Sequence, residues 1–162
     1  MERRDKHNYY LDIADTVLKR STCLRRLFGS IIVKNDEIIS TGYNGAPRKR
    51  RNCADAGMCL REKMEAPRGR MYELCRAVHS EVNAIISASR RDMIGASLYL
   101  VGRDADSGDI IESANSCAMC KRVIINAGIE KVIIRDPDDK FRIIDVQTWV
   151  DEDDLQDVPL GY

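Results

Sequence analysis

Two short motifs constrain this chain more than any other feature: His79-Ser80-Glu81 and Cys117-Ala-Met-Cys120, the first cysteine following the glutamate by 36 residues. Each stands where an irregular stretch gives way to helical spacing, so each opens a helix. Cys-x-x-Cys at a helix start sets two sulfurs on adjacent turns, facing one ion. Ser116 reads as the N-cap of that helix, whose positive end favours thiolate over thiol. With His79 as a third ligand, the fourth tetrahedral position is left to water. That is the arrangement of a catalytic zinc, whereas a structural zinc usually has four protein ligands. Zinc brings the pKa of its water to about 7. Glu81 need not share the metal and is placed to move protons from water to a substrate nitrogen and a departing amine. Taken singly, the motifs have plainer readings: a core histidine, a redox pair, half of a zinc knuckle. Taken together they favour catalysis.

The bulk numbers narrow the class. A length of 162 residues fits one domain, 1–162, able to bury a core without staples. Hydrophobic residues at 44% and charged residues at 32% are ordinary for a soluble globular protein. Lys plus Arg equals Asp plus Glu at 26 each, which argues against a general nucleic-acid or membrane binder. No apolar run approaches the ~18 residues of a membrane span. The charged start, Met1 to Asn8, lacks a signal-peptide apolar region, so the expected compartment is the cytoplasm. There, disulfides are disfavoured, and clustered cysteines are more often metal ligands or catalytic groups.

Periodicity predicts an α/β domain of three layers, with a mixed central sheet of about five strands between helices. Tyr10, Ile13, Ala14, Val17 and Leu18 mark an amphipathic first helix over residues 8–20. Residues 30–33 and 38–41 flank Asn35-Asp36 as a β-hairpin. Residues 43–76 show little periodicity and need something to order them. Helical spacing resumes at Val82, Ile85 and Ile86, followed by a strand over 97–101 and a polar loop over 102–116. The Cys120–Ala127 helix closes on Gly128 as a C-cap. Strands over 131–135 and 141–146 follow, then a short helix capped by Thr148 and an acidic segment over 147–162.

His-x-Glu followed by Cys-x-x-Cys resembles the signature of the zinc-dependent cytidine/deoxycytidylate deaminases. The likeness extends to Gly29–Lys34, Ile38–Pro47, His79–Ile85, Gly95–Tyr99 and Ile125–Ile129, in family order over roughly residues 8–135. Thr-Gly-Tyr-Asn-Gly at 41–45 is similar to the deoxycytidylate (dCMP) branch in particular. The resemblance implies hydrolysis of dCMP to dUMP and ammonia, a zinc-bound hydroxide attacking C4 of cytosine while Glu81 shuttles protons. It also implies substrate contacts: Asn44 to the sugar hydroxyl, Arg25 or Arg26 to the phosphate, Ser80 and Asn115 to the ring region. Two departures stand out: Ser116 replaces the usual Pro, and Ser80 the usual Ala.

The resemblance further implies a homo-oligomer, dimer or hexamer, and regulation by dCTP and dTTP in some members. Gly42, Tyr43, Gly45, Arg48 and Lys49 are the residues here for such a nucleotide, whose triphosphate would bring Mg2+. Four cysteines remain: Cys23, Cys53, Cys59 and Cys75. Four thiolates suit a closed structural zinc, which would order residues 43–76, as some similar deaminases do with a second zinc. The plainer alternative is three loop thiols and one core Cys23. Two other functions stay open, a tRNA deaminase using Arg48–Arg51 on the backbone and a non-enzymatic zinc scaffold. Net neutrality and the acidic tail argue against the first, and the presence of Glu81 against the second.

Overall fold

The computed structural model describes residues 1–152; the remainder of the acidic tail lies outside them. The first helix, α1 (Lys6–Leu18), begins two residues earlier than its apolar spacing indicates. Asp5 sets that start, its carboxylate accepting from the Asn8 N–H at 3.0 Å. The hairpin is β1 (Arg26–Lys34) and β2 (Glu37–Tyr43). Both turn residues are left-handed, Asn35 at φ 52° and Asp36 at φ 63°, which matches the turn to the strands' twist. Because β1 starts at Arg26, that arginine lies within the first strand rather than before it.

The next stretch is less regular but not bare. It holds one-turn helices α2 (Cys53–Ala56) and α3 (Leu60–Lys63) and a 3-10 turn over Tyr72–Leu74. Reciprocal backbone bonds between Gly45 and Val78, at 3.1 and 2.8 Å, bring its ends together. Then follow α4 (Ser80–Ile85), α5 (Arg90–Met93), β3 (Ser97–Asp104), α6 (Ala118–Ala127), β4 (Lys131–Arg135), β5 (Phe141–Asp145) and α7 (Val146–Asp151). β3 outruns the apolar stretch that announces it, and an Arg103–Ile110 bridge ties down the loop beyond. α6 stops at Gly128, which takes φ 82°. The cap of α7 is Asp145, not Thr148: the Asp145 carboxylate accepts from the Gln147 N–H.

The sheet order is β2-β1-β3-β4-β5, antiparallel except for the β3–β4 pair that α6 bridges. Alternation divides the core into two faces. Ile32, Leu98, Leu100, Val132 and Ile134 pack with Ala84, Cys120 and Ile124 from α4 and α6. Ile31, Val33, Tyr99, Val101 and Ile133 pack with Tyr10, Leu11, Ala14 and Leu18 from α1. Helix, sheet and helix make the expected three layers. Gly42 allows an unusually close approach of β2 to α4: a Cβ there would lie 2.3 Å from both the Ser80 oxygen and the Ala84 nitrogen. No helix among the described residues is long and apolar enough to cross a membrane.

Candidate active site

His79 and Cys117 occupy the N-cap positions of α4 and α6, with extended backbone (φ −69°, ψ 154° and φ −70°, ψ 166°). Neither side chain caps its helix, which leaves the imidazole and the thiol for another partner. Ser116 therefore stands one residue before the cap expected of it. Its hydroxyl is buried without a partner among the described residues. Cys120, on the first turn of α6, is fully buried. The ligand atoms of His79, Cys117 and Cys120 all lie within 4.8 Å of one another. Nδ1 of His79 is 3.5 Å from Sγ of Cys117 and 3.4 Å from Sγ of Cys120. No other trio of His, Cys, Asp or Glu converges this way among the described residues.

Burial opposes a charge on His79, but Cys117, Cys75 and Glu81 outweigh it and raise its pKa to about 10. The hydrogen bond from Cys120 holds Cys117 down to about 4 against the effect of burial. The same bond, with burial, raises Cys120. A cation held between these thiols and His79 would meet two sulfurs and a nitrogen, a donor set suited to zinc.

Glu81 is only 4% exposed. Its Oε2 accepts from the Ser80 hydroxyl at 3.1 Å, and Ser80 in turn lies 2.7 Å from the Ser30 hydroxyl. Glu81 lies in the wall of a cavity of about 260 Å³ whose lining includes Arg25, Arg26, Arg61 and Arg68. Glu81 is the one carboxylate in that lining, so the cavity favours an anion. Tyr72 forms part of the wall, its ring edge-on to His79 at 5.0 Å and 88°. The Arg61 guanidinium lies 4.5 Å over the Tyr72 ring. Its Nη2 donates to the carbonyls of Pro67 at 2.8 Å and Arg70 at 2.6 Å.

Residues 4–135 match the sequence profile of the cytidine and deoxycytidylate deaminase zinc-binding region. The chain belongs to this deaminase family. It is therefore a hydrolase, with a zinc-binding domain. It is 34% identical over 138 residues to the deoxycytidylate deaminase of Mycobacterium phage D29, covering 82% of this chain and 96% of the phage protein. The deoxycytidylate deaminase of Saccharomyces cerevisiae is 32% identical over 128 residues, or 78% of this chain and 36% of the yeast protein. The chain thus spans nearly all of the phage relative and about a third of the yeast one. Among solved structures, the dCMP deaminase of cyanophage S-TIM5 superposes with a TM-score of 0.58 at 24% identity, over 83% of this chain and 85% of that one. The cytidine deaminase of Mycobacterium tuberculosis does so at 0.51 and 14% identity, over 92% and 97%. These two likenesses concern the fold.

Within this deaminase, the remaining expected residues fall into distinct places. Arg25, Arg26, Asn44, Ser80 and Asn115 all line the cavity. Arg25 is also paired with Glu62 at 2.9 Å. Asn44 is a strap between segments: Oδ1 accepts from the Phe28 N–H at 2.8 Å and from Ser21, while Nδ2 donates to the Arg26 carbonyl at 2.9 Å. The Ser80 hydroxyl is sealed in the protein, and the Asn115 side chain accepts from the Ser116 N–H. Gly42 and Gly45 are buried in backbone contacts, whereas Tyr43, Arg48 and Lys49 are exposed. No carboxylate cluster suited to Mg2+ accompanies them among the described residues. Cys23, Cys59 and Cys75 line the cavity while Cys53 is buried. Arg61, Arg68 and Tyr72 have no sequence signal beyond their place in an irregular stretch; only the fold puts them here.

Proposed function

We propose that this deaminase hydrolyses dCMP to dUMP and ammonia. The observation that carries the reading is one cavity lined by His79 and Cys117 of the metal-binding cluster, a buried Glu81 and four arginines. A flat ring bearing an amine fits the first two, and a phosphate monoester fits the third. The phage D29 protein, named a deoxycytidylate deaminase, supports the same choice.

Zinc, when held by His79, Cys117 and Cys120, supplies an acidified water as nucleophile near neutral pH. The chain's own residues do the rest. Glu81 would take a proton from the attacking water, deliver it to the ring nitrogen, and pass a second proton to the amine as the C–N bond breaks. One water enters and one ammonia leaves. Arg25 and Arg26 hold the phosphate, Asn44 the sugar, and the backbone around Ser80 and Asn115 the ring. Burial of Glu81 keeps its proton from exchanging idly with solvent.

A second zinc on Cys23, Cys53, Cys59 and Cys75 is part of this reading. Burial raises the Cys53 thiol, and the charges of Cys23, Cys59 and Cys75 raise it further, though no three of these sulfurs lie within 4.8 Å of one another in this structure. Burial also works against ionising Cys75, but hydrogen bonds involving His79 and Ala77 lower it. Such a metal would draw the four sulfurs into a tetrahedron and order residues 43–76. We further place the enzyme in the cytoplasm as a homo-oligomer, with Tyr43, Arg48 and Lys49 at a site for dCTP or dTTP.

Ammonia release from dCMP, CMP, deoxycytidine and tRNA tests the substrate, with Glu81→Gln as control. Turnover should be highest on dCMP, and Glu81→Gln should keep its zinc while losing about 10²–10⁴-fold in rate. Full activity in the zinc-loaded variant defeats the mechanism, and preference for tRNA defeats the substrate. Metal analysis should find two zincs per chain; one zinc, with the four cysteines freely alkylated in the native protein, defeats the second site.

A further inference from the structure

The proton carrier of this site is itself held from behind. Glu81 Oε2, Ser80 Oγ and Ser30 Oγ form a line with separations of 3.1 and 2.7 Å, and the two serines are fully buried. The Ser80 hydroxyl donates to the Glu81 oxygen. That uses the one proton Ser80 has, so Ser30 must donate to Ser80. The direction of the whole chain is thereby fixed, from the sheet toward the carboxylate. Such hydrogen bonds in series strengthen one another in a low-dielectric interior.

The anchor is rigid for a reason legible in the backbone. Ser30 lies on β1 between Gly42 of β2 and Leu100 of β3. Its neighbour Gly42 is the residue whose missing side chain lets α4 settle on β2, with the Ser80 backbone carbonyl oxygen 2.3 Å from where a Cβ would sit. This close approach brings Ser80 within reach of Ser30. Both positions matter because Glu81 has to serve two proton acceptors in turn, and a carboxylate that swivels serves neither well.

The geometry points to Ser80 and Ser30 as a positioning dyad for Glu81. Ser80 holds Oε2 of Glu81, and Ser30 fixes the Ser80 hydroxyl. Neither serine touches substrate through its side chain. The inference rests on the deaminase reading of Glu81 given above.

Zinc-loaded wild type, Ser80→Ala, Ser30→Ala and the double variant separate this from a merely structural role. The Ser80→Ala variant should lose about 10-fold in kcat on dCMP, the worth of one hydrogen bond to a charged group. Ser30→Ala should lose about 2–3-fold, because Ser80 still donates to Glu81. KM and zinc content should stay at wild-type values in both. The double variant should be no slower than Ser80→Ala alone, since the two act through one bond to Glu81. Wild-type kcat in Ser80→Ala, a change confined to KM, or losses that simply add would each overturn the dyad. Should wild type not turn over dCMP, the substrate reading fails separately. The crystal structure of zinc-loaded Ser80→Ala then decides: a Glu81 carboxylate that moves off its wild-type position supports the dyad, and one that stays overturns it.

Discussion

The two groups of cysteines are held by opposite means. Cys117 stands at the N-cap and Cys120 on the first turn of a ten-residue helix that packs on the sheet, and Cys120 is itself part of the core. Their partner His79 begins a helix locked to β2 through Gly42. Cys53, Cys59 and Cys75 instead come from one-turn elements, and Cys23 from the link between α1 and β1. In the first group the fold makes the site. In the second, on the two-zinc reading proposed above, the ligands would help make the fold.

The largest effect should fall on the first group. Cys120→Ser exchanges a soft thiolate for a poor zinc ligand inside a preformed site. We expect loss of one zinc per chain and of deaminase activity, with the far-ultraviolet circular dichroism spectrum preserved. Unfolding of the chain on this change would erase the distinction between the two groups. The scaffold beneath the site comes next. Gly42→Ala would force a methyl to within 2.3 Å of two α4 backbone atoms, so β2 and α4 must part. A loss of about 3 kcal/mol or more in urea unfolding is expected, with activity falling alongside.

A smaller and more local effect is expected in the irregular stretch. Arg61 is its one nearly buried charge, stapling Pro67 and Arg70 and lying over Tyr72. Arg61→Ala should cost about 1–3 kcal/mol, but locally, because these contacts stay within residues 61–72. Limited proteolysis should cut within 46–77 sooner, while cleavage elsewhere and the global urea midpoint hardly change. An equal shift of the global midpoint would show that this segment and the sheet unfold as one.

The same contrast governs what could be read in advance. β3 announces both core faces by strict alternation, Leu98 and Leu100 against Tyr99 and Val101, and Gly128 announces the end of α6. The His79–Cys117–Cys120 cluster was legible because each of its two motifs opens a helix. Helices of one turn were not, since four residues cannot display a 3.6-residue period. Nor was the Ser30–Ser80 contact, which joins residues 50 apart and depends on how closely α4 lies to β2. Asn44 was read as a substrate contact from likeness alone; the fold also makes it a strap across Ser21, Arg26 and Phe28.

Ser116 provides the finest test of how far the helix-start site is preformed. Its hydroxyl is buried with no hydrogen-bond partner among the described residues, where a cap would have used it. A buried hydroxyl without a partner carries its full desolvation cost, so its removal should help. Ser116→Ala is expected to raise stability by about 1 kcal/mol, or roughly 3 °C in Tm, with one zinc still at His79, Cys117 and Cys120. Differential scanning calorimetry of metal-free and zinc-loaded protein reads both halves. A gain in both states would mark the hydroxyl as a cost inherent in this helix start. A gain in the metal-free protein that reverses on zinc loading would instead show that the hydroxyl acquires its acceptor only when the metal binds, and that the first site too is partly made by its ion.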